Sequence, residues 1–160
     1  NMGSVDRFDY TMMGDMVNLG ARCESAAKAY GVFVMVTEDT KRTAEAIRDD
    51  VAYRYLDKIV VRGRVQPVAM FEPIGFKNNL ARDTQDCLDC FGQGIQKYLA
   101  QDWDGAMKAF EKAKELEPNR PDLSLKVKTN PSIILIERCM MMKQNPPGDQ
   151  WDGVFVMSSK

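Results

Sequence analysis

Asn18 and Arg22 stand four residues apart and have the side-chain types that phosphate chemistry uses. The residues from Gly14 to Tyr30 place their apolar side chains at helical spacing, which predicts an amphipathic helix capped near Asp15. Asn18 and Arg22 fall on one face of this helix, apart from the apolar stripe, so the packing of the helix does not require them. Arginine offers a planar fork that suits phosphate oxygens, and asparagine offers a neutral donor and acceptor. The pair is therefore available for chemistry.

The residues around this pair follow an ordered pattern. The stretch from Arg7 to Glu24 resembles the D-Y-T-x-x-G-D-x-V-N-x-x-A-R-x-E signature of class III nucleotidyl cyclases, bacterial adenylyl cyclases above all. The positions in register are Asp9, Tyr10, Thr11, Gly14, Asp15, Val17, Asn18, Ala21, Arg22 and Glu24. Residues 1–4 also match the hairpin that precedes the signature, and the resemblance continues to about residue 75.

The resemblance implies an adenylate cyclase reaction, in which the 3′-hydroxyl of ATP attacks the α-phosphorus to give cyclic AMP and pyrophosphate. Arg22 would then stabilise the transition state at the phosphates, and Asn18 would orient the ribose. Thr11 matches the base-recognising position and favours adenine, with guanylyl specificity as the alternative. Arg62 matches a position that contacts the triphosphate, and a solvated hairpin tip is the alternative for this residue.

The resemblance also implies two Mg²⁺ or Mn²⁺ ions in the complete enzyme. Their aspartate ligands would precede Asn1, so we expect the sequence to be the C-terminal part of a cyclase that binds no metal and is inactive alone. Class III domains work as dimers that share their sites between chains, which implies a second cyclase chain as the partner and ATP as the substrate. Exposed strand edges and an uncovered helix face predict that the isolated chain associates.

Composition narrows the remaining function classes. The formal net charge of −1 gives no basic patch for nucleic acid, and the absence of histidine excludes Ser-His and Cys-His catalysis. No run of about 20 apolar residues occurs, so we expect a cytoplasmic catalytic part, although the parent protein could carry membrane modules. The Cys87-x-x-Cys90 motif resembles half of a zinc site. Without histidine or a second such motif, buried or half-buried thiols are the better interpretation.

The composition changes from β-rich to helical between residues 75 and 86. This change predicts a cyclase-like part at 1–76, a linker at 77–86 and a helical part at 87–160. The helical part opens with two amphipathic helices, at residues 86–101 and 102–116, that resemble one tetratricopeptide repeat.

One such repeat cannot bury its own apolar face, so we expect a third helix, at residues 132–143, to cover it. Ile133, Ile134, Ile136, Met140 and Met141 make this helix strongly apolar. For the run of methionines at 140–142, core packing is favoured over a partner-binding surface. Residues 154–157 are expected to form an extra strand or a tether over the helices.

The predicted fold class is α+β, a partial ferredoxin-like cyclase domain followed by a helical hairpin and a third helix. Two functions follow from this arrangement. The first is a part of an adenylate cyclase that supplies base-recognition and transition-state residues. The second is an interaction module, in which the helical part binds a regulatory protein.

Overall fold

The computed structural model describes residues 2–4, 7–9, 15–60 and 67–155, with the backbone alone for 2–4, 7–9, 15–19 and Arg22. Within these ranges no helix is both long and apolar enough to cross a membrane. The elements in chain order are β1 (Met2–Ser4), β2 (Arg7–Asp9), α1 (Asp15–Tyr30), β3 (Val36–Thr37), α2 (Glu38–Ile47), β4 (Val51–Ile59), β5 (Val68–Phe76), a short 3₁₀ turn (Lys77–Asn79), α3 (Arg82–Leu99), α4 (Trp103–Leu116), α5 (Pro131–Gln144) and β6 (Val154–Phe155).

The described strands form two sheets. Strands β1 and β2 make an antiparallel hairpin, in agreement with the hairpin expected at the start of the chain. The other sheet has the strand order β3-β5-β4-β6, in which β5 pairs antiparallel with both β3 and β4. Strand β6 lies parallel to β4, so the predicted extra strand is confirmed for Val154 and Phe155. Helices and strands together confirm the α+β class.

Strand β4 buries charged residues along with apolar ones. Its register against β5 slips by one residue at Leu56, because Tyr55 pairs with Phe71 and Asp57 pairs with Met70. Such a bulge shifts the alternation of side chains by one position. The buried residues of β4 are Arg54 and Leu56 before the slip, and Asp57 and Ile59 after it. The slip thus gives β4 two buried charged residues, Arg54 and Asp57.

The turn from α1 into α2 departs in part from the sequence prediction. We predict a strand over 32–36, but β3 holds only Val36–Thr37, and the strand prediction is wrong for the residues before Val36. Phe33 and Val34 are instead exposed, because they have no partner strand in the described sheet. The Thr37 hydroxyl caps the start of α2 by accepting from the Thr40 backbone N–H at 3.3 Å.

Helices α3 and α4 form the predicted hairpin. The Asp102 carboxylate caps α4 by accepting from the Gly105 backbone N–H at 2.9 Å, and α4 ends just before Glu117 and Pro118. Helix α3 begins at Arg82, inside the segment predicted as a linker. The hairpin shares one apolar core with α5, built from Cys87, Phe91, Ile95, Tyr98, Trp103, Ala106, Phe110, Ala113, Leu135, Ile136 and Cys139.

Helix α5 confirms the predicted third helix, but a different set of its residues covers the hairpin. Leu135, Ile136 and Cys139 lie in the shared core, whereas Met140 and Met141 are 52% and 45% exposed. The core-packing interpretation is therefore wrong for these two methionines and holds for Met142, which packs against the core. Arg138 is buried on the inward face of α5. A prediction that places only apolar side chains on this face assigns methionine to it instead.

Gly94 allows the close contact between α3 and α4. A Cβ atom at this position would overlap the ring of Phe110, which is fully buried. We expect Gly94→Ala to lower the free energy of unfolding by about 1 to 3 kcal/mol, measured by urea denaturation. Gly92 lies on the same helix with open space around its Cβ position, so Gly92→Ala should raise stability by up to about 1 kcal/mol through helix propensity. Equal effects of the two substitutions would contradict the packing argument.

Candidate functional site

The backbone of α1 carries the two residues predicted to be catalytic. Positions 18 and 22 lie in the first half of this helix, so the helix prediction is confirmed. The side chains of Asn18 and Arg22 are outside the described part of the chain, and so are Thr11 and Arg62 entirely. The roles assigned to these four residues stay predictions. What the structure describes is the second half of α1 and the contacts that fix it.

The second half of α1 packs on the sheet through small residues and one aromatic residue. Ala26, Ala27 and Tyr30 are buried, in agreement with the apolar stripe predicted from their spacing. They share a core with residues of β4 and β5, among them Leu56 and Met70. Alanine side chains bring the helix close to the sheet but interlock weakly with it, so Tyr30 is the large side chain in this contact.

Tyr30, Asp57 and Arg138 form a buried hydrogen-bonded network, hereafter the Arg138 network. The Arg138 guanidinium of α5 donates from Nη2 to the Tyr30 hydroxyl at 2.7 Å and from Nη1 to the Asp57 carboxylate. The Tyr30 hydroxyl donates in turn to the same carboxylate. Every member is at most 5% exposed. Three elements from distant parts of the chain, α1, β4 and α5, therefore meet at one ion pair.

Burial and charge together set the protonation states in the Arg138 network. Burial raises the pKa of Tyr30, and the neighbouring Asp57 carboxylate raises it further, so the hydroxyl stays protonated as a donor. Burial lowers the pKa of Arg138, but Asp57, Tyr30 and Tyr98 together outweigh this effect and leave that pKa above its usual value. The network is therefore charged on Arg138 and neutral on Tyr30 at any physiological pH.

The C-terminal segment covers the Arg138 network. The guanidinium carbon of Arg138 lies 3.7 Å from the ring centroid of Phe155 in β6, a cation–π contact. The segment before β6 is held by Trp151, whose ring packs against those of Tyr98 and Trp103. Strand β6 thus shields a buried charge while it extends the sheet.

Arg54 is the centre of a second buried network, hereafter the Arg54 network. Its Nε and Nη2 atoms donate to the Glu72 carboxylate at 2.9 and 2.5 Å, and its Nη1 donates to the Glu117 carboxylate at 2.7 Å. The Ser132 hydroxyl at the start of α5 donates to the same Glu117 oxygen at 2.7 Å. The Arg54 guanidinium also lies 4.9 Å from the ring centroid of Phe91 in α3. This network joins the sheet to α3, α4 and α5.

The Arg54 network contains two carboxylates and one guanidinium. Burial raises the pKa of Glu72 and outweighs the attraction of Arg54, so this carboxyl takes up a proton more readily than an exposed glutamate. For Arg54, burial lowers the pKa, and the two carboxylates together more than compensate. A buried carboxylate pair is tolerable only with the guanidinium between its members.

The four cysteines are free thiols. Cys87 and Cys139 are buried, and Cys23 and Cys90 are partly buried, which confirms the interpretation of Cys87-x-x-Cys90 as packed thiols. Among the side chains that the structure describes, no group of three or more His, Cys, Asp or Glu residues is placed to hold a metal ion.

A groove of about 570 Å³ lies between α1 and the segment at 32–37. Its described lining is largely apolar and includes Cys23, Ala27 and the exposed Phe33. The lysine in this lining, Lys28, pairs with Glu24 at 2.8 Å. The groove follows the outer side of the helix that carries positions 18 and 22.

Sequence reasoning missed the pairing of the buried charges. One signal was present, because Arg138 interrupts an otherwise apolar helix and Asp57 follows Leu56 in a strand. A charge inside an apolar run must find a partner when it is buried. The partner itself does not follow from the pattern, since Arg138 and Tyr30 are 108 residues apart.

Comparisons with known proteins support a domain related to adenylate cyclases, in agreement with the signature that runs into α1. The adenylate cyclase of Dictyostelium discoideum named as terminal-differentiation specific is 26% identical over 140 residues, which are 87% of this chain and 6% of that protein. The Anabaena cylindrica adenylate cyclase is 32% identical over 72 residues, 44% of this chain and 14% of that protein. An uncharacterized Mycobacterium tuberculosis protein is 30% identical over 74 residues, 46% of this chain and 13% of its own length.

The chain therefore spans a small part of each relative. The 140-residue match is too long to fit within residues 1–76, so it includes helices of the second part. No protein-family model matches the chain, and no solved structure gives a significant match.

We expect Arg54→Met to lower the free energy of unfolding by about 3 to 5 kcal/mol, because it leaves two buried carboxylates without a cation. Lys143→Met removes an exposed ion pair with Asp104 and should cost at most about 1 kcal/mol. Urea denaturation at pH 5 and pH 8 measures both effects. The deficit of Arg54→Met should grow with pH, since ionisation of the unpaired carboxylates opposes folding. A deficit that shrinks with pH would contradict the assignment.

The buried thiols predict a pattern of alkylation. Burial raises the pKa of Cys87 and of Cys139 to about 12, so both are protonated at pH 8 and react slowly with iodoacetamide. Mass spectrometry of the native protein should find Cys90 modified first. Because their ordinary pKa is 9.0, unfolded chains lose these protons first, and stability should fall as the pH rises from about 9 to 12. Labelling of Cys87 as fast as Cys90 would show that the core opens readily.

Proposed function

We propose that this chain is part of an adenylate cyclase that converts ATP into 3′,5′-cyclic AMP and pyrophosphate. The ten-residue match to the cyclase signature, which includes Asn18 and Arg22, carries the proposal. The described helix α1 supports it, because it places both positions on one continuous helix. The relatives named adenylate cyclase support it from a second direction.

In this proposal the chain supplies one side of a site. The Arg22 guanidinium contacts the phosphate oxygens where negative charge develops, and Asn18 hydrogen-bonds the ribose so that its 3′-hydroxyl faces the α-phosphorus. Thr11 contacts the edge of the base and favours adenine. Arg62 contacts the triphosphate. Guanylyl specificity is the competing assignment, and a comparison of ATP with GTP as substrates decides between them.

Two Mg²⁺ or Mn²⁺ ions, when bound in the complete enzyme, would supply activation of the attacking hydroxyl and charge neutralisation of the leaving pyrophosphate. The described residues do not fit these ions, because they gather no group of metal-binding side chains. The ion ligands in this proposal lie outside the described residues, and a second cyclase chain completes the site. We therefore expect the isolated 160 residues to make no cyclic AMP and to associate with a second copy.

An interaction role for the helical part is the second candidate function. It is favoured by the exposure of Met140 and Met141 on α5, since flexible methionine side chains suit protein-binding surfaces. The two functions are compatible within one protein. A helical part that binds no protein and yet is required for turnover would favour the catalytic role alone.

Arg22→Ala, made in a protein that contains the complete catalytic domain, should lower kcat for ATP about 10²- to 10³-fold. The KM for ATP should change far less, because the contact strengthens as charge develops in the transition state. Arg42→Ala is the matched control, since Arg42 lies exposed on α2 and forms an exposed ion pair with Asp39. A cyclic AMP assay measures both variants. Full activity of Arg22→Ala would refute the role proposed for this residue.

A further inference from the structure

Arg138 is the one residue of α5 that hydrogen-bonds to α1 in the described structure. Its guanidinium donates to the Tyr30 hydroxyl at the last residue of α1 and to the Asp57 carboxylate in β4. The guanidinium carbon of Arg138 also lies 3.7 Å from the centroid of the Phe155 ring. The side chain is 5% exposed. The helical part thus reaches the cyclase-like part through a buried, hydrogen-bonded contact.

Tyr30 lies on the same helix as the residues proposed for catalysis. Positions 22 and 18 come about two and about three turns before Tyr30, at distances of about 12 and 18 Å along the helix axis. A continuous helix turns as one body, so a tilt of about 10° at Tyr30 moves position 22 by about 2 Å. A displacement of about 1 Å at a catalytic group can cost about 100-fold in rate. The orientation of α1 at its C-terminal end therefore matters for the site.

The other described contacts of α1 orient it weakly. Ala26 and Ala27 present small surfaces to the sheet, and apolar contacts of this kind have no preferred direction. The Arg138 network is directional, because one guanidinium binds two acceptors that belong to different elements. Apolar side chains of similar volume would often give as much stability as a buried ion pair. The network adds a fixed orientation of α1 relative to β4 and α5.

We propose that Arg138 is a positioning residue for the cyclase reaction, and that through Tyr30 it fixes the orientation of the helix that carries Asn18 and Arg22. The inference rests on the proposed function for its catalytic consequence. It assigns to the helical part an effect on the turnover rate that acts through the orientation of α1. A change in the position of α5 then alters the rate of the reaction without touching the substrate.

The test uses the native protein that contains this chain together with its complete catalytic domain. Tyr30→Phe removes one hydroxyl and keeps the buried ring, so it is the variant expected to fold. Arg138→Lys keeps a positive charge next to Asp57 but lacks the second donor group that reaches Tyr30. Arg138→Met removes the charge and both hydrogen bonds. Lys143→Met, on the same helix with an exposed ion pair, is the control.

Two readouts are taken on each variant. Hydrogen exchange followed by mass spectrometry reports the protection of the peptide that covers residues 20–30. Steady-state assays give kcat and KM for ATP. We expect Tyr30→Phe and Arg138→Lys to exchange faster in this peptide and to lose about 10-fold or more in kcat, with KM within about twofold of the parent value. The double variant Tyr30→Phe/Arg138→Met should be no slower than Arg138→Met alone, because both act through one contact.

The outcomes separate this inference from the proposed function. Unchanged exchange and unchanged kcat in Tyr30→Phe and Arg138→Lys overturn the positioning role and leave the cyclase proposal standing. Faster exchange with unchanged kcat also overturns it, since the contact is then structural only. A parent protein that makes neither cyclic AMP from ATP nor cyclic GMP from GTP refutes the proposed function and with it the catalytic consequence. Loss of kcat in Lys143→Met of the same size would show a general sensitivity of α5 and would likewise overturn the assignment to Arg138.

Discussion

A buried guanidinium needs a carboxylate beside it, and this requirement determines how the helices pack on the sheet in the core of the protein. Arg54 and Arg138 are both buried, and each has a carboxylate partner far away in the sequence, Glu117 for Arg54 and Asp57 for Arg138. Their partners fix where the helices sit on the sheet. The slip in β4 at Leu56 belongs to the same arrangement, because both Arg54 and Asp57 are buried on this one strand.

These ion pairs bear on how the two parts of the chain are related. The sequence changes character between residues 75 and 86, which is typical of a junction between independent units. The contacts show a closer relation, since Glu117 of the helical part binds Arg54 in β4, and Arg138 binds Tyr30 in α1 and Asp57 in β4. Ile134 also packs against the core under α1. A helical repeat that was joined to the sheet by a linker alone would instead have exposed polar groups on the surface that faces the sheet.

The local elements were predictable, and the tertiary pairing was not. Helical spacing and caps indicated α1, α3, α4 and α5, because these signals lie within a few residues of each other. The strand expected over 32–36 fell short, since a strand needs a partner that the sequence does not name. The prediction for the inward face of α5 was also wrong, because an arginine is expected on the surface unless its buried partners are known. Those partners, Asp57 and Tyr30, lie far away in the sequence. For the site, the sequence identified Asn18 and Arg22 on one helix, and the structure added the contacts that hold that helix.

The distance along the chain between Tyr30 and Arg138 also affects how the protein is made. The two residues that meet in the core are separated by 108 positions, and Asp57 and Arg138 by 81. Contacts of such high contact order form late, after the entropy of closing a long loop has been overcome. During synthesis, α1 and β4 leave the ribosome well before α5, and until then Asp57 has no cation beside it. Until α5 is translated, the cyclase-like part of a nascent chain therefore has the Asp57 carboxylate without its Arg138 partner.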